Sequence, residues 1–334
     1  MPHIRRRRTE LSLLIIFAAL LQLAAGTGLA YVAGFSRVHA VLGEFRWVWL
    51  VWLAGALVVS FTGYYYAYQG IFRVDGGLAL SGRQMRAVVA AGFGGFLAHG
   101  RGGLDKYALE AAGAGRRDAS ARTAGLAGLE HGMLAIAGCG AAIAVLASGM
   151  ARPSADFTIP WAVIPVPGFL VAFWAAERYR DRVRDQAGWQ GVLGTFLQAV
   201  HLIRELFIHP RRWAAALLGM ALFWAAEAFA AWAALAAFGV RVNAAALIVG
   251  FGTGMVFTRR TGPMGGAGIL TLVLPPALWC SGAPLAAAVA GVFAYQVLSL
   301  WLPLPVALAF LPTLRAMGDH QVTPVAPIRE RKAA

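Results

Sequence analysis

Two glycine-rich segments hold the residues of this sequence whose types and spacing best suit chemistry. Gly92-Phe93-Gly94 is followed after six residues by Arg101, and Gly250-Phe251-Gly252 is followed after six residues by Arg259. A glycine pair comes after each arginine. An internal duplication is the simplest explanation of this match, and chance in a chain with 40 glycines is the alternative.

Arginine beside glycine suits the binding of a phosphate group. Arginine binds phosphate through two parallel hydrogen bonds, glycine lets the backbone approach closely, and the start of a helix adds N–H donors and a positive dipole. The alternative is that these arginines only anchor the ends of short helices at a membrane interface. The predicted binding residues are Arg101, Gly102, Gly103, Arg259, Arg260, Gly265, Gly266 and Gly268.

Glu130 and Glu227 fall inside long apolar runs. A charged acid in the middle of a membrane costs on the order of 2.5–3.5 kcal/mol, so each should face the interior of a helical bundle. Two roles fit them: uptake of a proton coupled to transport, and a structural hydrogen bond between spans. We also expect Glu130 to pair with an arginine of a glycine-rich segment.

The remaining polar residues give no pattern that predicts a cofactor. His99 and His131 lie on different elements without a cluster of further ligands, so we expect no metal. Asp105, Lys106 and Glu110 are predicted to form a local charge pair on a cytoplasmic helix. The sequence contains no Walker loop, Rossmann fingerprint or nucleophile elbow.

The composition determines which elements must position these residues. Of 334 residues, 59% are hydrophobic and only 13% are charged, and the mean hydropathy is +0.65. Too few charges remain to cover a soluble surface, and uninterrupted apolar runs favour helices over a β-barrel. The predicted fold is an all-α polytopic membrane bundle forming a single transmembrane domain, residues 1–334. The net charge of +14 lies at the ends of the apolar runs, which argues against nucleic-acid binding.

Six apolar runs are long enough to cross a bilayer. The first exceeds the length of a signal-peptide core and is expected to be retained. In the second, tryptophans at the start and Tyr64 to Tyr68 at the end are interpreted as interfacial aromatic belts. The predicted full spans are residues 11–34, 47–68, 123–148, 158–176, 213–238 and 284–314.

The glycine-rich stretches 88–103 and 245–268 are too interrupted to cross as lipid-facing helices, so we predict re-entrant segments. The distribution of arginine and lysine places both termini in the cytoplasm. The first segment then enters from the cytoplasm and the second from outside. This is the inverted repeat that many secondary transporters build around a substrate site.

The predicted organisation follows from these spans. The two halves are residues 45–148 and 213–314, and a cytoplasmic tail covers 315–334. The linker 177–212 contains apolar residues at helical spacing, from Trp189 to Phe207, which predicts an amphipathic helix on the cytoplasmic surface.

A family resemblance extends this interpretation. The run from Arg259 to Gly268, leading to Ala294-Tyr295-Gln296 and Leu302-Pro303-Leu304, resembles the flippase-type transmembrane region of lysylphosphatidylglycerol synthases and their stand-alone relatives. Residues 92–131 look like the N-terminal counterpart of that region, so the resemblance covers most of residues 45–310. It adds Glu130 and Gln296 to the expected substrate site.

The chain departs from the family pattern at several positions. Thr271 stands where the family usually carries an acid, and Gln296 stands where it often carries arginine. About 20 residues follow the last predicted span, so the soluble domain of the lysine-transferring members is absent and lysylation is not expected. These departures leave an altered substrate open.

The resulting expectation is a bacterial inner-membrane protein that flips an anionic lipid, either a phospholipid or a polyprenyl-linked lipid. One alternative is an integral-membrane enzyme acting on a lipid carrier, with Asp105, Glu110 and Glu130 as its candidate acids. Another is a non-catalytic partner of a glycosyltransferase or lipid-modifying enzyme.

Overall fold

The computed structural model describes residues 8–94, 101–183, 186, 188–258 and 266–319, and this part of the chain contains helices and turns but no strand. The predicted all-α fold is therefore confirmed. The helices are α1 Arg8–Ala33, α2 Phe35–Gly43, α3 Val48–Arg73, α4 Gly82–Gly94, α5 Arg101–Ala111, α6 Arg116–Ala147, α7 Ala155–Val163, α8 Pro165–Val183, α9 Gly188–Ile208, α10 Ala214–Ala236, α11 Ala244–Thr258, α12 Ala267–Cys280, α13 Leu285–Gln296 and α14 Pro303–Asp319.

Seven helical elements within the described residues are long and apolar enough to cross a membrane. Six of them overlap the six predicted spans: α1, α3, α6, α7 with α8, α10, and the run from α13 to α14. A π-helical turn, Val297–Trp301, joins α13 to α14. The seventh element is α9, in the predicted linker.

The buried side of α9 differs from the apolar face that the sequence predicted. Gly128 of α6 lies against Ile203 of α9, and Gly125 lies against Ala199, so the two helices run side by side in the same direction. The predicted apolar face is only partly buried: Trp189 is 73% exposed, whereas Ile203 is buried. Because α9 packs between α6 and α8, it buries a face that periodicity alone did not identify.

Each glycine-rich segment includes residues of two short helices that pack together, α4 with α5 and α11 with α12. α11 and α12 are antiparallel neighbours, with Gly254 against Leu274 and Gly250 against Ser281. At a rise of 1.5 Å per residue, each is only about 20 Å long. α12 continues to Cys280, well beyond the predicted end of the segment at Gly268. α4 and α5 form the corresponding pair in the first half.

The two halves repeat one pattern of contacts. α3 packs on α4 as α10 packs on α11, and α5 packs on α6 as α12 packs on α13. Across the halves, α4 lies against α14 and α6 lies against α11. α3 and α10 form the most extensive helix pair of the described structure. Trp49 packs edge-on against Trp232 while Gly70 meets Ala216, so the two helices are antiparallel. Antiparallel packing of equivalent helices is what an inverted repeat requires.

Arg122 holds the end of α3 in place. Its Nη1 donates to the carbonyl oxygens of Ile71, Phe72 and Val74 at 3.1, 3.1 and 2.7 Å, and its Nε donates to Asp118 at 2.9 Å. The last carbonyls of a helix have no partner within the helix itself. The buried guanidinium of α6 satisfies them and fixes α3 against α6.

Candidate functional site

Three hydroxyl groups follow one side of α3 at four-residue intervals, on Ser60, Tyr64 and Tyr68. This spacing brings side chains together on a helix surface, and the three span about 12 Å along the axis. All three residues are buried, with exposures of 1%, 0% and 0%. We call this set the hydroxyl row. Each member donates a hydrogen bond to a carboxylate from a different helix.

Glu130 of α6 occupies the middle of the row. The Tyr64 hydroxyl donates to Glu130 Oε2 at 2.8 Å, and the indole of Trp224 donates to the backbone oxygen of Glu130 at 2.7 Å. Glu130 is completely buried, as its position within an apolar run predicted. It therefore joins α6 to both central helices, α3 and α10.

Asp105 of α5 faces the last member of the row. Its Oδ1 accepts a hydrogen bond from the Tyr68 hydroxyl at 2.5 Å, and the residue is fully buried. The sequence grouped Asp105 with Lys106 and Glu110 in a local charge pair on a cytoplasmic helix. Lys106 and Glu110 do approach each other, at 3.9 Å. Asp105 points to the opposite side of α5, where the helix packs on the core.

Glu227 of α10 faces the first member of the row. Ser60 Oγ donates to Glu227 Oε1 at 2.6 Å, and the hydroxyl of Tyr295 donates to Glu227 Oε2. Glu227 is 4% exposed, so the prediction that it faces the bundle interior is confirmed. These bonds connect α3, α10 and α13 around one acid.

Gln296, next to Tyr295, extends these hydrogen bonds to α12. We call the buried polar contacts from Asp105 to Thr271 the polar path, and we call the pairs α4–α5 and α11–α12 the first and second hairpins. Its Oε1 accepts hydrogen bonds from Thr271 Oγ1 at 2.8 Å and from Gln22 Nε2 at 3.0 Å. Its Nε2 donates to the carbonyl oxygen of Ala267 at 2.9 Å. Gln22 Oε1 in turn accepts from Trp301 Nε1 at 2.7 Å. Thr271 and Gln296, two of the positions that differ from the pattern of the resembled family, are thus direct partners.

The phenylalanines of the duplicated Gly-Phe-Gly motif occupy corresponding places in this path. Phe93 packs edge-on against Tyr64 with ring centres 5.8 Å apart, and Phe251 packs edge-on against Tyr295 at 6.1 Å. Each of these tyrosines donates to a buried acid, Glu130 or Glu227. Both halves therefore place an apolar ring from a glycine-rich helix beside a tyrosine–glutamate pair.

Three buried acids, Asp105, Glu130 and Glu227, each accept a hydrogen bond from a neutral hydroxyl group. A hydroxyl group suits either form of a carboxyl group, because it can both donate and accept a hydrogen bond.

The predicted glycines have distinct positions. Gly266 precedes α12 with a φ of 73°, in the left-handed region that favours glycine. A Cβ on Gly268 would lie 3.1 Å from Leu21 Cβ, so this glycine allows α1 to approach α12. Gly103 lies in the first turn of α5, with open space where a Cβ would be.

Most of the predicted arginine site lies outside the described residues. Arg259, Arg260 and Gly265 lie outside the described residues, as do the side-chain surroundings of Arg101 and Gly102. Pairing of Glu130 with such an arginine, and phosphate binding by them, stay predictions.

Sequence reasoning missed most of the hydroxyl row. Tyr64 and Tyr68 were assigned to an interfacial belt, but both are fully buried, whereas Tyr66 on another side of α3 is 45% exposed. The signal that could have found them is the four-residue spacing that also includes Ser60. Gln22 and Tyr295 had no comparable local signal, because their partners lie far away in the sequence.

Histidine, cysteine, aspartate and glutamate form no group of three that could hold a metal within the described part of the chain. No protein-family model and no curated protein matches the sequence. The resemblance to the lysylphosphatidylglycerol synthase membrane region therefore stays a prediction from its motifs.

Proposed function

We propose that this protein moves an anionic lipid, or a lipid-linked headgroup, across the membrane, and that its buried acids take up protons during this movement. The observation that carries the proposal is the polar path through the bundle. It runs from Asp105 on the first hairpin, past Glu130 and Glu227, to Gln296 and Thr271 on the second.

The position of the acids supports a transport role. Ionisable residues inside membrane segments are costly and commonly mark substrate or proton pathways. Here the acids lie between two hairpins with equivalent contacts in the two halves, and transporters with inverted repeats place their substrate sites at such junctions. Arg101 at the start of α5 and Arg259 after α11 would supply the positive charge that an anionic headgroup needs.

Purified protein in liposomes with fluorescent anionic and zwitterionic phospholipids tests the proposal directly. We expect protein-dependent movement of the anionic lipids and its loss in Arg101→Ala and Arg259→Ala. Glu227→Gln should also reduce movement, whereas Glu44→Gln, at an exposed position, is a matched control and should not.

A polyprenyl-linked phosphate should be included as a third substrate class. Failure to move any of the three lipid classes, by protein that remains folded, would contradict the proposed function. Equal movement of anionic and zwitterionic lipids, unaffected by the two arginine substitutions, would contradict the assigned headgroup selectivity.

A further inference from the structure

An apolar groove of about 310 Å³ lies between α3, α4 and α14. Its walls include Val58 and Phe61 from α3, Ala90 and Phe93 from α4, and Pro303 and Val306 from α14. Val58 and Val306, from opposite walls, are 66% and 52% exposed, so the groove opens sideways out of the bundle. It is a separate feature from the polar path described above.

The location of the groove restricts what can occupy it. Val58 lies ten residues after the start of α3, about 15 Å along a helix that is long enough to span the bilayer. At this depth the surroundings are hydrocarbon. Ordered water needs two or more polar partners, which these apolar walls do not offer. A hydrocarbon chain fits both the chemistry and the depth.

The groove also reaches the site. The ring of Phe93 forms part of its wall and contacts the rings of Phe61 at 5.6 Å and Tyr64 at 5.8 Å, measured between ring centres. Tyr64 donates to Glu130. One aromatic ring therefore separates the groove from the hydroxyl row.

We infer that this groove holds one hydrocarbon chain of the transported lipid while its headgroup is at the polar path. The inference rests on the proposed function. It adds the place on the protein where a lipid enters from the surrounding bilayer. The hydrocarbon chain is bound by apolar contact alone, so the groove selects lipids by the presence and length of their tail. The polar path selects lipids by their headgroup.

Photolabelling measures occupancy without any transport. The reconstituted protein is illuminated with phosphatidylglycerol that carries a diazirine in one acyl chain, and the labelled residues are mapped by mass spectrometry. We expect labels on residues 57–61 and 302–306 at several times the level found around Leu170, a lipid-exposed position on α8.

Two variants fill the groove from opposite walls, Val58→Trp and Val306→Trp, and Leu170→Trp is the control on an equally exposed surface. Both groove variants should reduce the labelling to the level at α8 and slow the transport of long-chain lipid by about tenfold, with little effect on short-chain analogues. The control should change neither.

Labelling of the groove at the level of α8, or labelling that persists in both filled variants, would overturn the inference even where lipid transport is observed. Strong, tryptophan-sensitive labelling in a protein that moves no lipid would instead overturn the transport proposal and leave the groove as a lipid-binding site.

Discussion

Gly63 and Gly219 lie backbone to backbone where α3 and α10 cross. A Cβ on Gly63 would lie 2.5 Å from the carbonyl oxygen of Gly219, and a Cβ on Gly219 would lie 2.6 Å from the carbonyl oxygen of Gly63. Each added Cβ would also approach the backbone nitrogen four residues further along the partner helix, Phe223 N at 2.8 Å for Gly63 and Ala67 N at 3.2 Å for Gly219. The contacts of the two glycines at this crossing are therefore nearly symmetric.

Gly63→Ala should destabilise the protein by about 1–3 kcal/mol, because the added methyl group meets backbone atoms that cannot move aside. Gly55→Ala is the matched control: Gly55 lies on the same helix and has open space around the position of a Cβ. The control should be neutral, or stabilising by up to about 1 kcal/mol from helix propensity. Thermal unfolding in detergent measures both, and equal midpoints for the two variants would contradict the close crossing.

Arg122→Ala should cost roughly 1–3 kcal/mol or more, because it leaves three carbonyl oxygens at the end of α3 without their buried donor. Arg117→Ala removes an exposed arginine of the same helix, whose Nη2 donates to the carbonyl oxygen of Gln186 at 3.3 Å. This control should lose less than about 0.5 kcal/mol. Chemical unfolding of the reconstituted variants compares them, and similar losses would refute the role assigned to Arg122.

Glu227→Gln keeps an acceptor for Ser60 and Tyr295 but removes the group that exchanges a proton. We expect transport to fall by about tenfold, equivalent to roughly 1.4 kcal/mol in the barrier, and to lose its response to a pH gradient. Glu227→Asp should retain part of both. The same pair of substitutions at Glu130 separates proton uptake from a purely structural hydrogen bond: unchanged transport in all four variants would rule out coupling through either acid.

Opposite charges introduced at positions 271 and 296 test whether Thr271 and Gln296 are direct partners. Thr271→Asp or Gln296→Arg alone places an uncompensated charge in a buried site, and each should destabilise the protein by about 3–5 kcal/mol. The double variant can form an ion pair across the present 2.8 Å contact and should recover much of that loss. A double-mutant cycle measured by thermal unfolding gives the coupling. Additive losses would show that the two side chains do not act as partners.

The sequence allowed the helical class and most of the spans to be predicted, because long apolar runs admit few other structures in a membrane. It also located Glu130 and Glu227, since an acid inside such a run is conspicuous. The duplicated Gly-Phe-Gly motif identified both hairpins. In each case the pattern that allowed the prediction lies within a short stretch of the sequence.

The errors have a common physical origin. Tyr68 and Asp105 are 37 residues apart, and Gln22 and Gln296 are 274 residues apart, so their pairing depends on how helices meet. Nothing in the residues around Tyr68 distinguishes a buried tyrosine from an interfacial one. The buried side of α9 was missed for the same reason, because its apolar residues cover more than one side and packing against α6 selects the side that is buried.

The hydroxyl row has a mechanical consequence. Ser60, Tyr64 and Tyr68 are fixed to a single rigid helix, while their three acids belong to α10, α6 and α5. A rotation of α3 about its own axis would move all three donors in one motion. The hydrogen bonds to α5, α6 and α10 therefore all depend on the orientation of the same helix.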